Sequence, residues 1–239
     1  MILSRKRMPE KKKIRSMFDS IAGEYDSLNH ILSLNIDKIW RSRAVKEVLK
    51  DAPRQILDVA CGTGDLAIAM AAASDKGALV TGVDISEGML SRVGEKAAQS
   101  GVSFKVKTQV ADGENLPFPE GAFDAVTCAF GIRNFEHRDK GLSEFLRVLR
   151  PGGKCVILEL SVPRKKWLRG LYNLYFTKMM PWIGGKVSGD KAAYQYLAAS
   201  VNRFPMPERF CAEMAKAGFR EVRFRSFTFG LCRMYVGVR

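Results

Sequence analysis

Between residues 54 and 162, short apolar runs alternate with stretches whose apolar residues recur at helical spacing. The runs are residues 56–60, 79–83, 104–110, 125–129 and 155–160. Several are almost continuously apolar, as parallel strands covered on both faces are. Residues 66–73 read as a helix between the first two runs. Ser86 stands at an N-cap position ahead of Met89, Leu90, Val93 and Ala97, which share one helix face. Leu142, Phe145, Leu146 and Leu149 mark a third helix, with Pro151-Gly152-Gly153 predicting its stop and a turn. Strand and helix in alternation predict a Rossmann-like, doubly wound α/β sheet.

The last third reads differently. Residues 166–182 mix Trp, Tyr, Phe, Met and Leu with basic residues and no acid. Residues 190–202 read as a helix, and residues 206–217 as another, closed by Gly218. Two strands follow, residues 221–226 and 228–238, close enough for a hairpin. The expected architecture is a mostly parallel seven-stranded sheet with an antiparallel C-terminal hairpin strand and a helical insertion after strand 5. It fills residues 1–239 as one domain, with 1–50 as an N-terminal helical lid and 163–203 as the insertion.

Composition narrows the classes. With 46% apolar residues in 239, the chain can bury one substantial core, which excludes disordered and collagen-like readings. Its formal charge of +14, from 39 basic and 25 acidic residues, favours anionic partners. Cys61, Cys128, Cys155, Cys211 and Cys232 are scattered without a C-x-x-C pair, and His30 and His137 lie far apart. Neither a metal site nor a disulfide framework is expected, and a reducing cytoplasm suits such cysteines. No apolar stretch approaches the roughly 18 residues that span a bilayer.

The first strand runs into Asp58-Val59-Ala60-Cys61-Gly62-Thr63-Gly64-Asp65. Gly62, Gly64 and Ala67 satisfy G-x-G-x-x-G/A, and Asp84 follows the second strand, where it can accept from two ribose hydroxyls. Alone, this pattern is equally a tight strand-to-helix turn with a solvated acid. A dinucleotide would place its pyrophosphate at the next helix N-terminus. Asp58 and Asp65 flank that point and would repel it, whereas they suit the ammonium and sulfonium of S-adenosylmethionine. Asp112, after the third strand, can accept from an adenine amino group, with the Gly113 amide donating to the ring. Asp112 can also be a simple turn cap.

Asp58 to Asp65, Asp112 with Leu116-Pro117-Phe118-Pro119, Phe130-Gly131-Ile132-Arg133-Asn134, the Arg147 to Gly153 stretch and the segment from Met17 to Arg41 carry a resemblance. They resemble the class I methyltransferases of ubiquinone and menaquinone biosynthesis. That resemblance implies S-adenosylmethionine as cofactor and methylation of a ring carbon of a polyprenylated hydroquinone. A demethylmenaquinol is the expected substrate, with a ubiquinol precursor as the alternative. The implied cofactor contacts are Thr63, Asp84, Asp112 and Gly113. A further contact, commonly serine in the family, is Ala129 here, and Asn35 stands where glycine is common.

Such chemistry needs a group to stabilise a phenolate-like oxygen and a group to take a proton. Arg133 fits the first role as a fixed guanidinium and is a poor base. Asn134 can orient the same oxygen or a water. His137 is the nearby titratable candidate, or else a helix cap. Tyr25 and Asp26 can fold over the donor as a lid, or pack as core. The aromatic and basic insertion can line a prenyl channel, rest on an anionic membrane surface, or serve as a helical cap. Arg5, Lys6, Arg7, Lys11, Lys12, Lys13 and Arg15 read as a frayed arm. No nucleic acid is expected, although a basic RNA methyltransferase, a nicotinamide-dependent dehydrogenase and a non-catalytic binder are the rivals. The expected location is cytoplasmic or at the inner membrane face; oligomeric state, including a homodimer, stays open.

Overall fold

The computed structural model describes residues 11–23, 33, 35–75, 77–174 and 191–239. Among these, seven strands form one sheet: β1 (Gln55–Val59), β2 (Leu79–Asp84), β3 (Val106–Val110), β4 (Phe123–Ala129), β5 (Leu149–Leu160), β6 (Arg220–Phe227) and β7 (Cys232–Val238). Their order is β3-β2-β1-β4-β5-β7-β6. β1 pairs in parallel with both β2 and β4, so the strand order reverses there and leaves a crevice at the carboxyl ends. β7 is antiparallel to both its neighbours, β5 and β6.

Helices cover both faces. On one side lie α2 (Ile36–Leu49), α3 (Asp65–Ala73) and α4 (Glu87–Gln99), packed on Ile56, Val80, Ala125 and Val156. On the other, α5 (Arg138–Val148) and α8 (Pro207–Ala217) pack on Leu57, Val83, Val126, Ile157 and Tyr235. Strand side chains alternate faces, so the apolar run Ile56-Leu57 is buried on both sides. Each such side chain contributes about 1.5–3 kcal/mol. Outside these layers run α1 (Lys11–Ile21), α6 (Lys166–Leu174) and α7 (Lys191–Arg203).

Three sequence expectations shift. α5 ends at Val148, and Leu149 belongs to β5, paired with Phe123. Pro151-Gly152-Gly153 therefore lies within the strand span rather than after a helix. There Gly152 takes a φ of 77°, and its N–H donates to the Arg239 carbonyl at 3.0 Å. β3 is a sheet edge whose residues 107–110 are exposed, so it is not covered as the inner strands are. The last strand starts at Cys232, because Thr228–Gly230 form a 3₁₀ turn with positive φ at Thr228 and Phe229. Ser86 does cap its helix, accepting from the Met89 N–H at 3.1 Å.

Among the described residues no helix is long and apolar enough to cross a membrane, and no group of His, Cys, Asp and Glu could hold a metal.

Gly64 caps α3 with a φ of 84°, and a Cβ there would sit 2.8 Å from Val93 Cγ1. Gly101, also at positive φ, has nothing within 4 Å of such a Cβ. Gly64→Ala is expected to cost about 2–3 kcal/mol and Gly101→Ala about 1 kcal/mol. Urea midpoints of the two variants check the difference.

Candidate active site

The crevice is organised by Asp84 at the end of β2. Its Oδ2 accepts from the Gly62 N–H at 2.9 Å and its Oδ1 from the Ser86 N–H at 2.9 Å. These two bonds draw the loop after β1 against the start of α4. Burial raises the Asp84 pKa, opposed by those backbone donors. A carboxylate has about four acceptor positions, so two remain for hydroxyls. Gly62, at φ 56°, faces open space: a Cβ there would meet nothing within 4 Å. Gly113 is the opposite case: a Cβ would lie 2.5 Å from the Phe135 ring and 2.8 Å from Val59.

Asp58 lies within β1, fully enclosed beside β4. Thr127 donates to its Oδ1 at 2.6 Å, and the Ala67 N–H acts on the carboxylate more weakly, while among the described residues Oδ2 has no hydrogen-bond partner within normal distance. Burial pushes its pKa up from 3.8 to about 7, with Thr127 and Arg41 pulling the other way. An orphaned, buried carboxylate oxygen is costly unless a donor reaches it. A cationic ammonium matches that oxygen in bonding capacity, so the residues present suit the donor expected from the sequence.

The other acids already have cations. Asp65 pairs with Lys96 Nζ at 2.6 Å and with Arg41 at 3.4 Å. Lys96 also donates to the Thr63 hydroxyl at 3.2 Å. Lys11 Nζ bridges Asp112 at 2.6 Å and Glu114 at 2.9 Å. The expectation that Asp58 and Asp65 together repel a diphosphate is thus corrected, because Asp65 is compensated from α4 and α2. The frayed arm is corrected for Lys11, Lys12, Lys13 and Arg15, while Arg5, Lys6 and Arg7 lie outside the described residues. Lys11 opens α1, Arg15 reaches Glu87 at 3.0 Å, and Asp19 accepts from the Gly88 N–H at 3.2 Å. α1 lies over α4 and the crevice, with Ile21 and Ala22 packed on Met89.

Two cavities meet at Ala60, Gly62, Ala129 and Phe130. One is lined by Lys11, Phe18, Asp84, Asp112, Gly113 and Asn134, the other by Arg41, Asp58, Thr63 and Asp65. Asp58, Gly62, Thr63, Asp84, Asp112, Gly113 and Ala129 are therefore gathered on one cleft. Gly64 sits beneath it as the α3 cap, and Ala129 offers no hydroxyl there.

The candidates for chemistry separate. Arg133 is 5% exposed and Glu159 is fully buried, their charged groups 2.6 Å apart. Arg133 also donates to the Phe130 carbonyl and, through Nε, to the Ser200 hydroxyl at 3.3 Å. Asn134 lines the cleft, and its Oδ1 accepts from the Tyr196 hydroxyl at 3.1 Å. His137 is exposed at the start of α5, makes no side-chain cap and lines neither cavity. Tyr25 and Asp26 lie outside the described residues, as do residues 175–182 of the expected prenyl channel.

Sequence reasoning missed Arg41, Lys11 and Glu159 as site residues. Glu159 had a signal, a lone acid inside the apolar run Val156-Ile157-Leu158-Glu159-Leu160. Arg41 stacks over the Phe130 ring at 5.4 Å, a contact between segments that only folding joins.

A family model described as the ubiE/COQ5 methyltransferase family matches residues 6–239. The chain belongs to the ubiE/COQ5 methyltransferase family. It is a methyltransferase whose donor is S-adenosylmethionine. Among relatives, a Thermus thermophilus protein named demethylmenaquinone methyltransferase is 48% identical, covering 93% of this chain and 100% of its own. A Geobacter sulfurreducens protein named ubiquinone/menaquinone biosynthesis C-methyltransferase UbiE is 45% identical, covering 97% and 90%. A Thermotoga maritima structure, titled a possible histamine N-methyltransferase, has a TM-score of 0.66 at 21% identity, over 93% of this chain and 98% of its own. That likeness shows the fold alone.

Within this ubiE/COQ5 chain, the Arg147 to Gly153 motif has a structural use. Arg147 pins the Leu116-Pro117-Phe118-Pro119 turn, donating to the Phe118 carbonyl at 2.7 Å and the Leu116 carbonyl at 3.0 Å.

Two outcomes are expected. Asp58 keeps its proton in the fold at pH values where the unfolded chain has lost it. The folded state therefore binds more protons between about pH 4 and pH 7, and stability falls as pH rises through that window. The slope is at most about 1.4 kcal/mol per pH unit. Unfolding of the donor-free protein at stepped pH checks this, and Asp58→Asn flattens the curve. Arg133→Gln leaves Glu159 buried without its cation and costs about 3–5 kcal/mol, whereas replacing both by Met recovers most of that loss. Guanidinium melts of single and double variants check it.

Proposed function

We propose that this protein transfers the methyl group of S-adenosylmethionine to a ring carbon of a demethylmenaquinol, giving menaquinol. The observation that carries the reading is the cleft itself. Acceptors stand at the ends of three successive strands, with a buried orphan oxygen on Asp58 among them. The names of the relatives support the substrate class. When bound, the donor supplies an electrophilic methyl on sulfonium.

Each residue has a defined task in this reading. Asp84 accepts from the two ribose hydroxyls with its remaining lone pairs. Asp112 accepts from the adenine amino group, for which Lys11 yields its place, and the Gly113 backbone donates to the ring. Asp58 receives the ammonium, and Arg41, beside Asp65, holds the donor's carboxylate. Thr63 and the Gly62-Thr63-Gly64 backbone wrap the same end. Together they fix the sulfonium so that a ring carbon can approach in line.

That carbon forms its bond to the methyl as the carbon–sulfur bond breaks, its electron pair leaving on sulfur. The ring carbon then loses its hydrogen as a proton to solvent water, which restores the aromatic ring. Asn134 is the polar group that meets the quinol oxygen or an ordered water. Arg133, neutralised by Glu159 and lining neither cavity, is a positioning residue that holds the 130–134 turn through the Phe130 carbonyl. His137, exposed at α5, takes no part.

The whole chain acts as one catalytic unit, with α1 part of its lid and α6 and α7 of the insertion serving the prenyl tail. Trp167, 64% exposed on α6, and the neighbouring basic residues suit that insertion to an anionic membrane surface at the cytoplasmic face.

The decisive experiment supplies purified protein with S-adenosylmethionine labelled at the methyl. Label is expected in a reduced demethylmenaquinol, and label in RNA or in neither acceptor overturns the reading. Transfer to a ubiquinol precursor at higher kcat/KM would exchange the substrate within the same chemistry. Asp84→Ala is expected to weaken donor binding about 10-fold to 100-fold through lost hydrogen bonds to a charged acceptor. Calorimetric titration of the donor checks this role.

A further inference from the structure

A third cavity, of about 250 Å³, shares no lining residue with the two that meet at the glycine loop. It is enclosed by the ends of β5 and β7, by α6, and by the chain from α7 into α8. Arg233, at the start of β7, lines it while being 2% exposed. Among the described residues its Nε has no hydrogen-bond partner within normal distance, the buried Tyr235 hydroxyl being the polar group beside it, and its Nη2 donates to the Val162 carbonyl at a long 3.4 Å. Among the described residues no carboxylate forms an ion pair with Arg233. Glu159, opposite Arg233 in the β5–β7 register, is bonded to Arg133, and Glu208 is bonded to Arg164.

A guanidinium withdrawn from water with an unused donor is unfavourable unless an acceptor reaches it. No acid lines the cavity, although Glu208, paired with Arg164, is near enough to favour the Arg233 charge. Arg169, exposed on α6, lines the same cavity and has no ion-pair partner among the described residues. The Asn202 amide gives one N–H to the Ala198 carbonyl at 3.0 Å and keeps a second. Met206, 46% exposed, continues the wall toward solvent.

We propose that this cavity is a phosphate-binding site, with Arg233 as its floor and Arg169 as its closing cation. A phosphate group matches the planar guanidinium fork with two parallel acceptors and still offers a third oxygen to Arg169 or Asn202. The volume admits the phosphate with several attached atoms, so the group is either a lipid headgroup phosphate or a free phosphate ester. The site is separate from the methyl-transfer cleft and does not rest on the quinol reading.

The test is calorimetric titration of the full chain with inorganic phosphate, against chloride at equal ionic strength. Saturable one-to-one binding is expected. Arg169→Ala should weaken it about fivefold to tenfold, and Arg233→Met should abolish it, with circular dichroism reporting folding. If Arg233→Met fails to fold, Arg233→Lys takes its place, and a loss of affinity there supports the site equally. No saturable binding, or unchanged affinity in Arg169→Ala and in whichever Arg233 variant folds, overturns the proposal. Dihexanoyl phosphatidylglycerol below its micelle concentration forms the second arm. Tighter binding of it than of inorganic phosphate assigns a lipid source, and weaker binding assigns a free phosphate.

Discussion

Everything about the crevice at the carboxyl ends of β1 and β2 hangs on one buried carboxylate accepting two backbone N–H groups. Asp84 joins the loop after β1 to the cap of α4, and so fixes the spacing of two strand ends at the crevice. A carboxylate taken from water is costly, and here two aligned donors offset much of that cost while leaving lone pairs over. The loop that Asp84 holds takes left-handed backbone at Gly62 and Gly64, which favours glycine at both.

The electrostatics of the cleft are subtler than a ring of acids. Lys96 and Arg41 balance Asp65, and Lys11 balances Asp112 and Glu114. Asp58 has no such ion pair among the described residues, and burial holds its pKa near 7. The cleft is better described as poised, with one proton able to leave when a positive group arrives. Charge repulsion alone does not choose its nucleotide; membership of the ubiE/COQ5 family does.

Local signals carried the inner strands, the glycine loop, the Ser86 cap and the Gly218 helix end, since each depends on neighbours a few residues away. The misreadings share a different cause. Leu149 looks helical by spacing, yet its pairing with Phe123 and the bonds between Gly152-Gly153 and Arg239 are made across the sheet. Lys11 looks like part of a solvated basic arm, because its acids lie about a hundred positions on. Arg133 stands out in the sequence as a lone cation in the Phe130 to Asn134 motif. Its partner Glu159 and its contact with Ser200 are invisible until strands and insertion meet.

The placement of β7 has a consequence for how this chain is made. Lys154 of β5 pairs with Val238, and no earlier strand covers that edge. During synthesis the parallel half can assemble while β5 stays open, a long hydrogen-bonding edge with Val156, Ile157 and Leu158 in it. Nascent chains that stall before residue 232 therefore carry an adhesive border, and helper proteins that shield such borders will matter more for yield than any gain in core packing.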